Sequence, residues 1–259
     1  MQGATRPHIA GVAAARGLPS KSALPVSKGM VRFGGMAIQF FTLTPLRLVA
    51  CCWLATVAIV FSASGLARAA EPEWQSLFDG RDLGLWKPTP FGGEGEVRAE
   101  AGMIRIAVGS DMSGITWGGE FPRTNFEVSL EARRDEGFDF FCGLTFPVGE
   151  GECSLIVGGW GGTVVGLSSI DGLDASQNAT TTAGDFESDR WYTIRVRVTP
   201  EQIVCFIDDK QVIDQAVAGH AFDVRSEMLP TRPLGIATYA TAASLRNLRW
   251  RTPAPSAPQ

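Results

Sequence analysis

Apolar and polar residues alternate along much of the chain from residue 97 onward, which is the pattern of strands that bury one face. The clearest case is NFEVSLEAR at residues 125–133, where apolar side chains at even positions alternate with polar side chains at odd positions. This segment predicts an antiparallel strand with a polar outer face. Two further strands are predicted at residues 191–198 and 203–208, on either side of a turn.

Three consecutive segments differ because they are apolar at both odd and even positions. They cover residues 138–146, 152–160 and 163–170. Such strands are expected in the centre of a sheet that is covered on one side and grooved on the other. The polar segment that follows, residues 171–185, predicts a loop long enough to suggest a function.

No segment has a sustained apolar period of 3.6 residues, so helices are not expected. Around a dozen short strands, separated by turn signals, predict an all-β protein. The favoured architecture is a two-sheet antiparallel jelly-roll sandwich, in which closing strands come from both ends of the chain.

The N-terminal part of the chain has the pattern of an export signal. An apolar run at residues 48–66 follows Arg47 and precedes Ala67-Arg68-Ala69, which predicts cleavage near residues 69–70. The alternative is an uncleaved anchor, since the run is also long enough to span a bilayer. We therefore divide the chain into an extension (1–70), a sandwich domain (71–251) and a disordered tail (252–259). The protein is expected to be secreted, periplasmic or in the cell envelope, with no membrane span after cleavage.

Composition restricts the function further. Charged residues make up 19% of the chain and the formal net charge is −4, so we expect no nucleic-acid partner. The predicted mature part contains Cys142, Cys153 and Cys205. If Phe146 faces Glu152 in a hairpin, Cys142 and Cys153 lie on opposite faces, and buried free thiols are expected rather than a disulfide. No zinc site is predicted, because no cysteine has the necessary neighbours.

Several motifs carry a resemblance to a known family. They are WQSLFDG at residues 74–80 followed by Trp86, NFEV at 125–128, WY at 191–192 with DDK at 208–210, and RNL at 246–248. Together they resemble the 3-keto-disaccharide hydrolase domain family, over about residues 73–251. The resemblance implies a concanavalin A-like lectin/glucanase fold in an exported protein that acts on sugars. It also implies cleavage of 3-keto-glycosides (3-keto-disaccharides) by lyase or hydrolase chemistry.

The central strand departs from the family pattern. Phe141 and Cys142 stand where the family commonly has asparagine and serine, and a later arginine is missing. Either this chain binds a different ligand, or its polar contacts come from loops. The Glu-x-Asp-x-x-Glu strand of glucanases with this fold is also absent, which argues against an ordinary glycosidase.

Elimination from a 3-keto sugar needs a base at the acidified C2 proton and an acid at the carbonyl or leaving oxygen. Since histidine is nearly absent, we expect carboxylates in these roles, and Glu131, Glu152 and Asp139 are the candidates. The competing interpretation places Glu131 on a charged solvent-facing strand and Glu152 at a solvated hairpin tip.

Trp117 and Trp160 lie among glycines and are the candidates for stacking against sugar rings, although core packing is the alternative. Asp171 and Asn178, in the polar loop, are the candidates for hydrogen bonds to a carbohydrate. Their oxygen atoms also suit a divalent cation such as Ca²⁺, but the same residues form turns, and no metal ligands are assigned. Two functions therefore remain open: a sugar-cleaving hydrolase or lyase, and a non-catalytic, lectin-like carbohydrate-binding module.

Overall fold

The computed structural model describes residues 72–253, which form two antiparallel β-sheets. The predicted signal sequence (48–66), its cleavage site (69–70) and residues 254–259 of the predicted tail lie outside the described residues. Within the described range, no helix has the length and apolar character required to cross a membrane. The longest helical segment there is the 3-10 helix Ser226–Thr231. The all-β prediction is confirmed.

Fifteen strands are present in the described residues. In chain order they are β1 (Gln75–Ser76), β2 (Trp86–Pro88), β3 (Val97–Glu100), β4 (Met103–Ile106), β5 (Met112–Trp117), β6 (Phe126–Gly137), β7 (Cys142–Val148), β8 (Gly151–Gly158), β9 (Val164–Ser168), β10 (Thr182–Ala183), β11 (Trp191–Val198), β12 (Gln202–Ile207), β13 (Lys210–Ala216), β14 (Gly235–Tyr239) and β15 (Thr241–Arg251). A single turn, α1 (Gly159–Gly162), connects β8 to β9. One sheet has eight strands in the order β13-β12-β11-β6-β15-β4-β3, with β1 paired to β15. The other has seven, in the order β10-β9-β8-β7-β14-β5-β2.

The main core lies between the two sheets, and alternation explains its composition. Along β6, Phe126, Val128, Leu130 and Ala132 are buried in this core, as the sequence predicts. The strands that are apolar on both faces, β7, β8 and β9, lie next to one another in the seven-stranded sheet. Their outer face is covered in part by the polar loop, since Thr180 bonds to β9 and Ala175 lies against Gly166.

The two ends of the domain meet in the eight-stranded sheet. Strand β1 pairs with β15, and the Leu77 amide donates to the Leu248 carbonyl at 2.8 Å. The indole of Trp86 donates to the Leu77 carbonyl at 2.9 Å. These bonds confirm that closing strands come from both ends of the domain.

The register of the β7–β8 hairpin corrects the sequence prediction. Phe146 pairs with Cys153 rather than with Glu152, and the one-residue difference places Cys142 and Cys153 on the same, core-facing side. Cys142, Cys153 and Cys205 are nevertheless free and buried, as expected. Burial raises the pKa of Cys142 and Cys153 to about 12.

Candidate functional site

A groove lies on the outer face of the seven-stranded sheet, at the end where β7 begins and β8 ends. It consists of two cavities of about 520 and 270 Å³ that share Met112, Glu227 and Tyr239 in their walls. Its floor is a small apolar cluster, separate from the main core, that contains Met112, Met228 and Ala237. Asp111 lines the larger cavity only, and the smaller one is bounded by the side chains described next.

Trp160 projects into the smaller cavity from α1, and its side chain is 44% exposed. Its backbone is left-handed (φ 51°, ψ 53°), between Gly158 (φ 78°) and Gly161 (φ 83°). A Cβ atom on Gly158 would lie 2.9 Å from the Arg134 guanidinium, so this position requires glycine for space as well as for conformation. The glycines around Trp160 therefore form a turn that presents the indole to solvent.

Asp139 fixes this turn. One of its carboxylate oxygens accepts a hydrogen bond from the Gly161 amide at 2.8 Å, and the other accepts one from the Phe140 amide at 2.8 Å. The side chain lines the smaller cavity but the residue is buried, and both oxygens are used for backbone amides. This geometry suits a residue that positions Trp160.

A network of charged side chains also borders the groove. Arg225 donates to Asp174 at 2.8 Å and to Glu227 at 2.5 Å, while the Ser226 hydroxyl also donates to Glu227 at 3.0 Å. Burial raises the pKa of Glu227, but hydrogen bonds from its own amide, Arg225 and Ser226 lower that pKa more, so the net shift is downward. Glu227 is therefore an ionised acceptor at neutral pH.

Aromatic rings form a second wall. Tyr239 is 39% exposed and stacks on Phe140 with ring centroids 6.1 Å apart. Its amide donates to the Phe140 carbonyl at 3.1 Å, which ties the end of β14 to the loop before β7. Trp160, Tyr239 and Phe140 thus give the smaller cavity an aromatic lining next to charged acceptors, a combination suited to a sugar ring.

The structure does not bring the three predicted catalytic carboxylates together. Glu131 lies on the outer face of the eight-stranded sheet, where it accepts hydrogen bonds from Arg246 at 2.7 Å and Asn247 at 2.6 Å. Glu152 lies near the tip of the β7–β8 hairpin, 3.0 Å from Arg123. Asp139 lies at the other end of that hairpin and is the one of the three that lines the groove.

The predicted ligand-binding residues also lie in different parts of the structure. Trp160 lines the groove, whereas the Trp117 ring packs edge-on against Trp86 at 5.1 Å and its indole donates to the Glu120 carbonyl. Asn178 donates to the carbonyls of Leu167, Leu173 and Asp174 and accepts from Thr180, which organises the polar loop. Asp171 pairs with His220 at 2.7 Å. Hydrogen bonds from the Ala221 amide and from His220 lower the pKa of Asp171.

These contacts do not fit a divalent cation in the polar loop. Asp171 points to His220, Asp174 to Arg225 and Ser176, and Asn178 to Thr180, so the three side chains share no centre. Within residues 72–253, no group of three or more His, Cys, Asp or Glu side chains is arranged to hold a metal ion.

Arg225, Glu227 and Tyr239 of the groove were not predicted from the sequence. Arg225 and Glu227 lie in a segment with no periodic pattern, so nothing in the sequence distinguished them from surface charges. Tyr239 could have been found, because alternation from the buried Ile236 along β14 places Ala237 and Tyr239 on the outer face.

Comparison with known proteins gives one family match. The model of the 3-keto-alpha-glucoside-1,2-lyase-like domain matches residues 73–251. No curated protein matches the chain. Similar solved structures include a Bacillus subtilis protein of unknown function with a galectin-like fold, which is 11% identical over 71% of this chain and 96% of that chain, with a TM-score of 0.48. A carbohydrate-binding module from Bacillus subtilis is 11% identical over 64% of this chain and 95% of that chain, with a TM-score of 0.42. Domain 4 of an extracellular arabinanase from Geobacillus stearothermophilus is 13% identical over 65% of this chain and 82% of that chain, with a TM-score of 0.42.

Proposed function

Because the chain belongs to the family of 3-keto-alpha-glucoside-1,2-lyase-like domains, we propose that its groove binds a 3-keto-glycoside and cleaves the glycosidic bond by elimination. The observation that carries this proposal is the position of Glu227 and Tyr239, which line both cavities. A sugar ring in one cavity and its leaving group in the other would have the bond to be broken between them.

The proposed reaction begins at the C2 proton, which the neighbouring C3 ketone acidifies. The Glu227 carboxylate removes this proton, the electrons of the C2–H bond form a double bond between C1 and C2, and the bond from C1 to the leaving oxygen breaks. The Tyr239 hydroxyl donates the proton that the leaving oxygen needs. Trp160 stacks on the ring and holds it in place, in a turn fixed by Asp139.

The test is incubation of the protein with 3-keto-glycosides and with their unoxidised parents, followed by mass spectrometry. We expect release from the keto forms alone, with a sugar product one water lighter than the product of hydrolysis. Glu227→Gln should lower the rate by about 10²–10⁴-fold, as expected for loss of a general base. Glu131→Gln, on the other sheet, is the matched control and should keep the rate. Equal loss in both variants would contradict the assignment of Glu227.

A second candidate function is carbohydrate binding without catalysis. It is favoured by the lowered pKa of Glu227 and by the two hydrogen bonds that Asp139 accepts from backbone amides. Both observations show carboxylates that are held as fixed acceptors. In this case no sugar would be released from any glycoside. Addition of sugar would still change the tryptophan fluorescence, and Trp160→Ala would abolish the change.

A further inference from the structure

The outer face of the eight-stranded sheet has a group of arginines far from the groove. On β15, Arg249 lies opposite Ser129 of β6 and Arg251 lies opposite Glu127. On the other side of β6, Arg195 and Arg197 of β11 lie opposite the same two residues. Trp74 borders the group, with its ring centroid 4.7 Å from the Arg249 guanidinium carbon and 4.5 Å from that of Arg251. We call this surface the arginine face; it consists of Trp74, Arg195, Arg197, Arg249 and Arg251.

Three of the four arginines of the arginine face form ion pairs with two carboxylates of the described residues, although the chain as a whole carries a net charge of −4. Its central carboxylate is Glu127, which is fully buried and accepts from Arg195 at 2.6 Å, Arg251 at 2.7 Å and Arg197 at 3.2 Å. Asp209 lies farther away, 3.7 Å from Arg195, and is 90% exposed. One buried carboxylate therefore holds three guanidinium groups in place.

Two of the arginines retain hydrogen-bonding capacity. Arg249 is exposed and forms no ion pair with a carboxylate of the described residues, and its contact with Trp74 is with the ring face. The Arg197 side chain is 36% exposed, and its hydrogen bond to Glu127 uses one nitrogen, Nη2. A guanidinium group presents planar pairs of N–H donors that match a carboxylate, so these side chains are suited to anionic groups.

The spacing of the arginines indicates what kind of anion fits. Outward residues two apart on a strand are separated by about 6.6 Å, and neighbouring strands by about 4.8 Å. The positive charges are therefore spread over a flat surface rather than gathered around one point. Single carboxylates repeated along a polymer complement this array better than a compact, highly charged ion does.

We propose that the arginine face binds a linear acidic polysaccharide through the carboxylates of its uronate residues. The partly exposed Trp74 supplies an aromatic surface at the border for a sugar ring. This surface belongs to the sheet opposite the one that carries the groove. The protein would thus hold an acidic polysaccharide with one sheet while the other sheet keeps its groove open.

The test is titration of the full chain with polygalacturonate by isothermal titration calorimetry, at low and at 0.5 M salt (about a 4 Å screening length). We expect binding at low salt and loss at high salt. The double variant Arg197→Gln/Arg249→Gln should bind about tenfold more weakly, and Arg249→Gln alone about threefold, if each exposed contact contributes as surface ion pairs do. Arg249→Gln breaks no ion pair of the described residues, so it also tests the proposal if the double variant fails to fold.

Controls distinguish this surface from general charge effects and from the groove. Arg98→Gln removes an exposed arginine of the same sheet that is already paired with Glu96 and Glu100, and it should leave binding unchanged. Trp160→Ala should also leave it unchanged. Absence of binding, an equal loss in Arg98→Gln, or loss in Trp160→Ala would overturn the proposal. Equal binding of neutral dextran, or preferential binding of vesicles containing anionic lipid, would overturn it as well.

Discussion

At the scale of single residues, Trp117 and Trp160 have similar sequence surroundings but opposite environments. Both lie beside glycines, yet Trp117 packs against Trp86 while Trp160 lies in the wall of a cavity. The difference arises from the backbone, since Trp117 ends an extended strand and Trp160 lies in a left-handed turn.

We predict different effects of alanine at these two tryptophans. Trp117→Ala should lower the free energy of unfolding by about 3 kcal/mol, because it removes a large, partly buried ring from the edge of the core. Trp160→Ala should change it by less than about 1 kcal/mol and weaken sugar binding by about tenfold or more. Urea unfolding and isothermal titration calorimetry with sugar measure the two quantities. A large loss of stability in Trp160→Ala would contradict its assignment to the groove.

Glu127 should contribute strongly to stability, because its buried carboxylate is paired with three arginines. Glu127→Gln should lower the free energy of unfolding by about 3 kcal/mol, since the guanidinium groups lose their common partner. Glu131→Gln, which affects a more exposed carboxylate on the same strand, should cost about 1 kcal/mol or less. Similar losses in both variants would show that burial of Glu127 has no special energetic role.

The pH dependence of stability should follow from the same residue. Burial raises the pKa of Glu127, but hydrogen bonds from Arg195 and Arg251 and the positive charges nearby outweigh it, so the pKa is lowered. The stabilisation is then fully present above the unfolded-state pKa of about 4.3. It is lost as the pH falls through the lower folded-state value. Below about pH 4.3, the unfolding free energy of Glu127→Gln should decline less steeply with falling pH than that of the unmodified protein.

At the scale of elements, the turn α1 shows how a short segment depends on a distant one. The left-handed backbone conformation of this turn is unfavourable for a non-glycine residue such as Trp160. The Asp139 carboxylate, from the loop before β7, holds the turn in this conformation. The Gly161 amide, which donates its hydrogen bond to Asp139, is not part of the pairing between β8 and β9.

We predict that Asp139→Ala acts through this turn. The two amides that lose their acceptor should lower the free energy of unfolding by about 1–3 kcal/mol. Sugar binding should weaken as well, because Trp160 loses its fixed position. The comparison with Trp160→Ala is decisive: if Asp139 acts through Trp160, the double variant should bind no more weakly than Trp160→Ala alone. Additive losses in binding would instead indicate direct contact between Asp139 and the ligand.

At the scale of the whole molecule, the pairing of β1 with β15 closes the sandwich with strands from both ends of the domain. Contacts between residues so far apart in sequence favour slow folding and cooperative unfolding. The three cysteines report on this cooperativity, because they lie on β7, β8 and β12, in both sheets.

We predict that Cys142, Cys153 and Cys205 react with a thiol reagent only when the domain unfolds. Burial raises the pKa of all three thiols, which suppresses the reactive thiolate and also excludes the reagent. The measurement uses a chain with Cys51→Ser and Cys52→Ser, in which labelling is followed along a urea titration. All three thiols should become reactive together with the loss of tryptophan fluorescence. Earlier labelling of one cysteine would show that one sheet opens before the other.

The fold class, most strands and the family can be predicted without the structure. Alternation decides these features because the side-chain period of a strand is two residues, so the buried face of β6 or β11 can be assigned from local information. The motifs of residues 74–80 and 125–128 likewise need no structure to be recognised. The strand β5 was missed because its sequence, MSGITW, has a glycine and two hydroxyl side chains and lacks clear alternation.

The composition of the groove and of the arginine face, in contrast, depends on contacts between distant segments. Glu227, Tyr239 and Trp160 come from segments up to 79 residues apart (160 to 239), and contacts over such distances leave no periodic signal in the sequence. The same holds for Glu127, whose polar outer position predicts exposure and whose burial follows from arginines on two neighbouring strands. A carboxylate has the same local pattern whether it faces water, an arginine or a sugar, and only its neighbours in space determine its role.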